Sequence, residues 1–270
     1  MSYSIEDQRK LQKMRTEKQG AAGIGSGLEI ATEALYRSIL SPGDFAIDVG
    51  ANRARHTIPM ARAVGPEGRI LAVEAAKETA IKLQRDLNAA KIPDVVEIGN
   101  YAVSDKPGVG EFTYVPSATG LSSLKSDDKI ESYADRLTET VTINRLDDMV
   151  SDDRIAKFMK LDIEGAELFA LKGAARILRN HRPILAFENG GLRYARRFNY
   201  TSVEFFDFFE KAGYKIYTPY ATPFGPDWDT GAQPGQLFAL PVEKVPDATA
   251  ILCPPLIEAV FLAMPGSSLP

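Results

Sequence analysis

The feature that most constrains the fold is an alternation of short apolar runs with helix-patterned stretches through the middle of the 270-residue chain. FAIDV (45–49), RILAVE (69–74) and VVEIG (95–99) are separated by helical patterns near 55–64 and 77–90. The rhythm resumes with KFMKLDI (157–163), a helix through 166–179, PILAFE (183–188), a helix near 201–211 and a strand over 214–217. Parallel strands are buried on both faces and need a crossover between them, so continuous apolar runs alternating with helices read as βαβ units. The expected class is α/β: a mostly parallel, twisted sheet flanked by helices.

The ends and one internal stretch break this rhythm. Residues 4–16 are good helix formers, 20–27 form a glycine-rich break, and 28–40 place Leu28, Ile30, Ala31, Leu35, Ile39 and Leu40 near one helical face. Between about 100 and 155 turn residues are frequent, with strand candidates at Glu111–Val115 and Glu139–Ile143. Residues 115–140 lack a steady period and are expected to form a mobile flap over the site. The expected organisation is a helical extension over 1–43, a main domain over 44–245 with an insertion near 105–155, and a tail over 246–270. The tail would pack on the core or on a second subunit, which makes a homo-oligomer one expectation.

A formal net charge of −4 gives no electrostatic footprint for nucleic acid. No run of eighteen apolar residues suggests a membrane span, and residues 1–20 lack the apolar centre of a signal peptide. A single cysteine, Cys253, cannot form an internal disulfide, which fits a reducing cytoplasm. It reads as a small buried hydrophobe.

Chemistry concentrates where the apolar runs end. Asp48-Val49-Gly50-Ala51-Asn52 leaves the first strand at the place where an open α/β sheet binds its ligand. Gly50 allows close backbone approach, and Asp48 suits an ammonium better than a diphosphate. Glu74 ends the second strand at roughly the spacing of a ribose-binding carboxylate. Lys160-Leu161-Asp162-Ile163-Glu164-Gly165-Ala166-Glu167 bunches three acids in six residues, and Glu188 ends the next strand. Asp162, Glu164 and Glu188 would supply a general base or a partial oxygen-ligand set for Mg²⁺. Glu167 reads as a first-turn helix acid. His56 lies one turn into the helix after Asn52, where it contacts a cofactor or simply caps and packs, and His181 reads as a solvent-exposed turn residue. Phe205, Phe206, Phe208 and Phe209 read as core.

Several of these segments, in this order, resemble the FkbM-type methyltransferases over roughly 44–241. DVGAN (48–52) with His56-Thr57, VEAAKET (73–79), NYAVSDKPG (100–108), Gly120-Leu121-Ser122-Ser123-Leu124, INRLDDMV (143–150), KLDIEGAELFALKGA (160–174) and RPILAFE (182–188) carry the resemblance. It implies a Rossmann-like class I methyltransferase fold and an S-adenosylmethionine cofactor. Asp48, Gly50 and Asn52 would surround the methionine moiety, Glu74 would bind the ribose, and Ala102 and its neighbours would flank the adenine. Asp162 would lie beside the sulfonium and the acceptor, with Asp162 or Glu188 as the base. The implied reaction is O-methylation of a hydroxyl on a sugar or natural-product scaffold, so the partner is a small-molecule or glycan acceptor. The sequence departs from the family at Arg53-Ala54, where a small apolar residue and glycine are usual, and at Asn189. Two other readings stand beside this one: an NAD(P)-dependent oxidoreductase, which would need more glycines than Gly50 after the first strand, and a non-catalytic ligand-binding descendant.

Overall fold

The computed structural model describes residues 29–219, 221–226 and 235–253. The expectations for residues 4–16, 20–27 and the tail beyond 253 lie outside these residues. A helix over 29–39 (α1) leads in. It is followed by β1 (Phe45–Val49), α2 (Thr57–Val64), β2 (Arg69–Val73), α3 (Lys77–Ala89) and β3 (Val96–Gly99). Next come β4 (Ala102–Val103), β5 (Gly108–Tyr114), α4 (Asp128–Glu131), β6 (Leu137–Asn144) and α5 (Leu146–Met149). The chain continues through β7 (Ala156–Leu161), α6 (Glu167–Lys172), α7 (Ala175–Asn180), β8 (Ile184–Glu188), α8 (Leu192–Phe198), α9 (Ser202–Lys211), β9 (Tyr214–Tyr217) and β10 (Gln236–Pro241).

The apolar runs become the strands of one seven-stranded sheet in the order β3-β2-β1-β7-β8-β10-β9. β1 lies between β2 and β7, parallel to both, and all five of its residues are buried, as a strand covered by helices on both faces requires. β7 and β8 are also parallel. β10 inserts antiparallel between β8 and β9. QLFALP is apolar after Gln236 and wholly buried, a strand signal that has no place among the expected strands. A parallel sheet with one antiparallel strand next to the edge, crossed over at β1/β7, is the class I methyltransferase arrangement.

The two strands expected in the 100–155 region, β5 and β6, pair antiparallel along their length and are joined by β4, which was not expected, in a second sheet, β4-β6-β5. The helix expected over 166–179 is two helices, because the backbone turns at Gly173-Ala174. Gly173 lies so close to the loop after β4 that a Cβ there would meet the Ser104 carbonyl oxygen at 2.1 Å. α9 starts with a capping box in which Thr201 and Glu204 satisfy each other's backbone N–H groups. Its Phe205 and Phe209 pack on Phe187 of β8, so the aromatic cluster is core. α1 buries Leu35 and Tyr36 against the opposite face of the sheet, joined by Leu252 from the end of the described chain. Cys253 is buried and unpaired. Among the described residues no helix is long and apolar enough to cross a membrane.

Candidate functional site

Strand register assembles the site. Asp48 of β1 is the direct neighbour of Lys160 of β7, and the pairs Val49–Val73 and Leu161–Phe187 bring Glu74, Asp162 and Glu188 to the same end of the sheet. Four carboxyls from four successive strand ends therefore share one edge. A cleft of about 250 Å³ opens above it, lined by Asp48, Gly50, Asn52, Glu74, Ala102 and Asp162 among others.

The loop after β1 holds the floor. Gly50 has φ +81°, and a Cβ there would meet the Asp162 carbonyl oxygen at 1.9 Å. Its role is to let the β1 and β7 loops touch, more than to admit a ligand directly. Asn52 and Ala54 also lie in the left-handed region, at φ 44° and 60°. This conformation favours glycine, and Ala54 adopts it here as a buried residue. Arg53 turns away from the cleft to chelate Asp86 on α3 at 2.6 and 3.0 Å, so this departure from the family leaves the cleft lining untouched.

Asp48 is buried; its Oδ2 accepts from the Thr57 hydroxyl at 2.6 Å, while its buried Oδ1 has no partner. Glu74 accepts from the Asn52 N–H at 3.0 Å and the Ala76 N–H at 2.9 Å. Burial raises its carboxyl to about 7, against the lowering pull of those N–H groups. His56 is buried on the cleft wall and packs rather than caps, bonded to the Tyr36 hydroxyl at 3.3 Å and to Glu29. Glu29, on α1, is itself a cleft residue that sequence reasoning missed. His181, expected in solvent, is buried, and its Nδ1 accepts from the Ala156 N–H at 3.3 Å, well away from the cleft lining.

Lys160 is a second missed residue. Its buried ammonium donates to Asp162 Oδ2 at 2.9 Å. Burial alone would lower its pKa, but Asp162, Asp48 and Glu29 together hold it above the ordinary lysine value. Glu164 lines the cleft; Glu188 does not. The two meet at a third missed residue, Tyr194 of α8, whose hydroxyl lies 2.9 Å from Glu164 Oε2 and 2.7 Å from Glu188 Oε2. Glu167, in the first turn of α6 as expected, is buried and accepts from the Ile163 N–H at 2.9 Å; burial raises it to about 8. The oxygen-ligand set expected for Mg²⁺ does not form: among the described residues no three acidic, histidine or cysteine side chains are gathered around a cation position. Asp162 is held by Lys160, while Glu164 and Glu188 converge on a phenol.

The region expected as a flap is folded onto the cleft rim. Thr119 donates to Asn52 Oδ1 at 3.1 Å, and the buried Ser123 hydroxyl donates to the Glu164 carbonyl at 3.1 Å. Asp127, the N-cap of α4, is clamped by Arg193 and Arg197 of α8. Burial would raise the Asp127 carboxyl, but the two guanidiniums and the Ile130 N–H hold it well below the usual carboxylate range.

These residues fit S-adenosylmethionine. The unpartnered Asp48 Oδ1 is an acceptor for an ammonium, Glu74 can accept from ribose hydroxyls, and Tyr101, Ala102 and Val103 form an apolar wall for a purine. A dinucleotide diphosphate would instead meet the buried Asp48 carboxylate at the β1 loop.

Fold and site together define a class I methyltransferase architecture. The Methyltransferase FkbM domain model matches residues 48–216, well over half of the chain, and the protein belongs to that family. It is similar to methyltransferase sdnD of Sordaria araneosa, 30% identical over 173 residues that cover 54% of this chain and 66% of that one. The chain thus spans just under two thirds of that relative. Among solved structures, the FkbM methyltransferase of Methylobacillus flagellatus KT is 18% identical, with a TM-score of 0.45 over 76% of this chain and 49% of that one. The O-methyltransferase TomG of Streptomyces achromogenes, solved in complex with SAM, is 12% identical, with a TM-score of 0.43 over 80% of this chain and 79% of that one.

Proposed function

We propose that this chain is an S-adenosylmethionine-dependent methyltransferase that methylates a hydroxyl on a small-molecule or glycan acceptor. The observation that carries the reading is the buried, unpartnered Asp48 Oδ1 in the cleft of an FkbM-family domain. A buried carboxylate oxygen without a donor is costly, and a ligand ammonium would satisfy it.

Asp48 would hold the ammonium, with Thr57 fixing its rotamer from behind. Glu74 would take the ribose hydroxyls, and the backbone over 101–103 would flank the adenine. The bound cofactor supplies an electrophilic methyl on a sulfonium. What remains for the chain is to align the acceptor and remove its proton, which are positioning and acid–base tasks. Asp162, ion-paired with Lys160 and partly exposed to the cleft, would help to align the acceptor. The acidic mouth also suits a cationic cofactor over the anionic dinucleotide of the oxidoreductase reading.

The test is incubation with methyl-labelled S-adenosylmethionine and a panel of hydroxyl-bearing sugars and polyketide-like scaffolds. The expected outcome is stoichiometric S-adenosylhomocysteine and an acceptor heavier by one methyl. Labelled methyl appearing on nitrogen or carbon would refute the hydroxyl assignment.

A further inference from the structure

We propose that Glu188 is kept neutral and donates its proton to the Tyr194 oxygen, while the Tyr194 hydroxyl donates to Glu164, leaving Glu164 as the ionised, cleft-facing carboxylate that takes the acceptor's proton. This assignment rests on the methyltransferase reading of the cleft and says which of its acids does the proton work.

The first support is a count of hydrogens. One phenol carries one proton, yet its oxygen lies within hydrogen-bond distance of a carboxylate oxygen on either side, at 2.9 and 2.7 Å. Donation to one leaves the other facing an oxygen lone pair, unless that second carboxyl carries a proton and donates. The arrangement is therefore consistent only when at least one of the two carboxyls is protonated.

The second support is the way the chain builds the slot for this ring. Gly165 has φ +104°, and a Cβ there would meet Tyr194 Cγ and Phe198 Cε2 at 2.9 Å. A Cβ on Gly190 would lie 2.4 Å from the Tyr194 ring. Two glycines, each directly after or two residues after one of the acids, thus clear the space in which the phenol sits. Arg193 and Arg197 cover the ring at 5.5 and 5.3 Å from its centroid.

The asymmetry of charge decides which carboxyl is neutral. Arg197 Nη1 lies 4.0 Å from Glu164 Oε2 and donates to the Glu164 carbonyl at 2.8 Å. Around Glu188 the facing ionisable groups are the acids Asp162 and Glu164 from the β7 end, Glu167 of α6 and the Tyr194 phenol of α8. On β10 the cross-strand neighbour is Gln236, which is uncharged. Burial and these acids push Glu188 well above the ordinary carboxylate value. Glu164 is also raised by burial and by Asp162, but the two arginines and the Tyr194 hydroxyl pull it back. The step would balance as follows: the acceptor O–H bond breaks as its oxygen bonds the methyl, the bond between that methyl and the cofactor sulfur breaks with its electron pair left on sulfur, the proton forms a new O–H bond on Glu164, and Glu188 and Tyr194 keep theirs. Tyr194 and Glu188 are positioning residues, and Glu164 is the catalytic one.

The test reads protonation without needing the acceptor. Infrared difference spectra at pH 7 compare wild type with Glu188→Gln and with Glu164→Gln, each checked for folding by circular dichroism. The wild type minus Glu188→Gln difference should contain a protonated-carboxyl C=O band that shifts in D₂O, and the wild type minus Glu164→Gln difference should not. The reverse pattern, or no such band in either, overturns the assignment. If either glutamine variant fails to fold, Tyr194→Phe decides: loss of the phenol should move the Glu188 band to higher wavenumber, and an unmoved band overturns the proposal. S-Adenosylhomocysteine binding to the same wild-type sample, followed by calorimetry, tests the methyltransferase reading separately, because its failure leaves the band pattern unaffected.

Discussion

Glu74 makes cofactor affinity depend on pH in a direction that follows from its burial. Its carboxyl stands at about 7 in the ligand-free cleft because desolvation outweighs the Asn52 and Ala76 N–H groups. Ribose hydroxyls donate to the ionised form, so binding lowers the pKa and releases a proton. The affinity is then complete above pH 7 and is lost as pH falls through it. A site with a pKa of 7 is about one tenth ionised at pH 6 and nine tenths at pH 8, so S-adenosylhomocysteine should bind about ten-fold more weakly at pH 6. At pH 7 calorimetry in buffers of different ionisation enthalpy should report release of about half a proton per ligand bound. Glu74→Gln should bind more weakly at every pH and lose most of this dependence. Equal affinity at pH 6 and 8 with no proton release in the wild type would refute the placement of the ribose on Glu74.

Three further outcomes follow from the site. Asp48→Ala should weaken S-adenosylhomocysteine ten-fold or more by removing a charge-assisted hydrogen bond worth about 1.5–3 kcal/mol; unchanged calorimetric affinity in a folded variant would remove Asp48 from the cofactor site. Gly50→Ala meets both a left-handed backbone, costing about 1–2 kcal/mol, and a Cβ position 1.9 Å from the Asp162 carbonyl, so it should lower stability by more than roughly 3 kcal/mol in denaturant titration. Wild-type stability there would mean that the two loops do not touch. Asp127→Ala removes the α4 cap and the partner of Arg193 and Arg197, so amide exchange over 115–135 should speed up at least ten-fold with the β1 and β7 amides unaffected; unchanged exchange would show that the clamp does not hold the rim.

The sheet was legible because its central strands are buried on both faces, which leaves mostly apolar runs such as RILAV and ILAFE, the pattern of a covered parallel strand. The acids at strand ends were legible for the same reason: a charge that closes such a run has to sit at the sheet's edge. Tyr194 was not, because LRYARRF reads as a basic surface helix. Its importance comes from contacts with Glu164, 30 residues away, and from space left by Gly165 and Gly190. Lys160 inside an apolar run drew no role from the sequence, whereas register sets it beside Asp48 and gives it Asp162 as partner. His181 was read as exposed from its turn neighbours, and only the approach of the Ala156 N–H explains its burial. Grouping Asp162, Glu164 and Glu188 as cation ligands followed from their proximity in sequence and between adjacent strands. The lysine and the phenol that actually hold them apart could not be placed without side-chain directions.

The most direct test of the cofactor assignment is isothermal calorimetry of the full chain with S-adenosylhomocysteine and, in parallel, with NAD and NADP. Saturable binding of S-adenosylhomocysteine at one site per chain, with no heat from either dinucleotide, is the expected result, since the cleft presents the Asp48 carboxylate at the β1 loop, where a dinucleotide would bring its diphosphate. Binding of NAD or NADP, with none of S-adenosylhomocysteine, would contradict it.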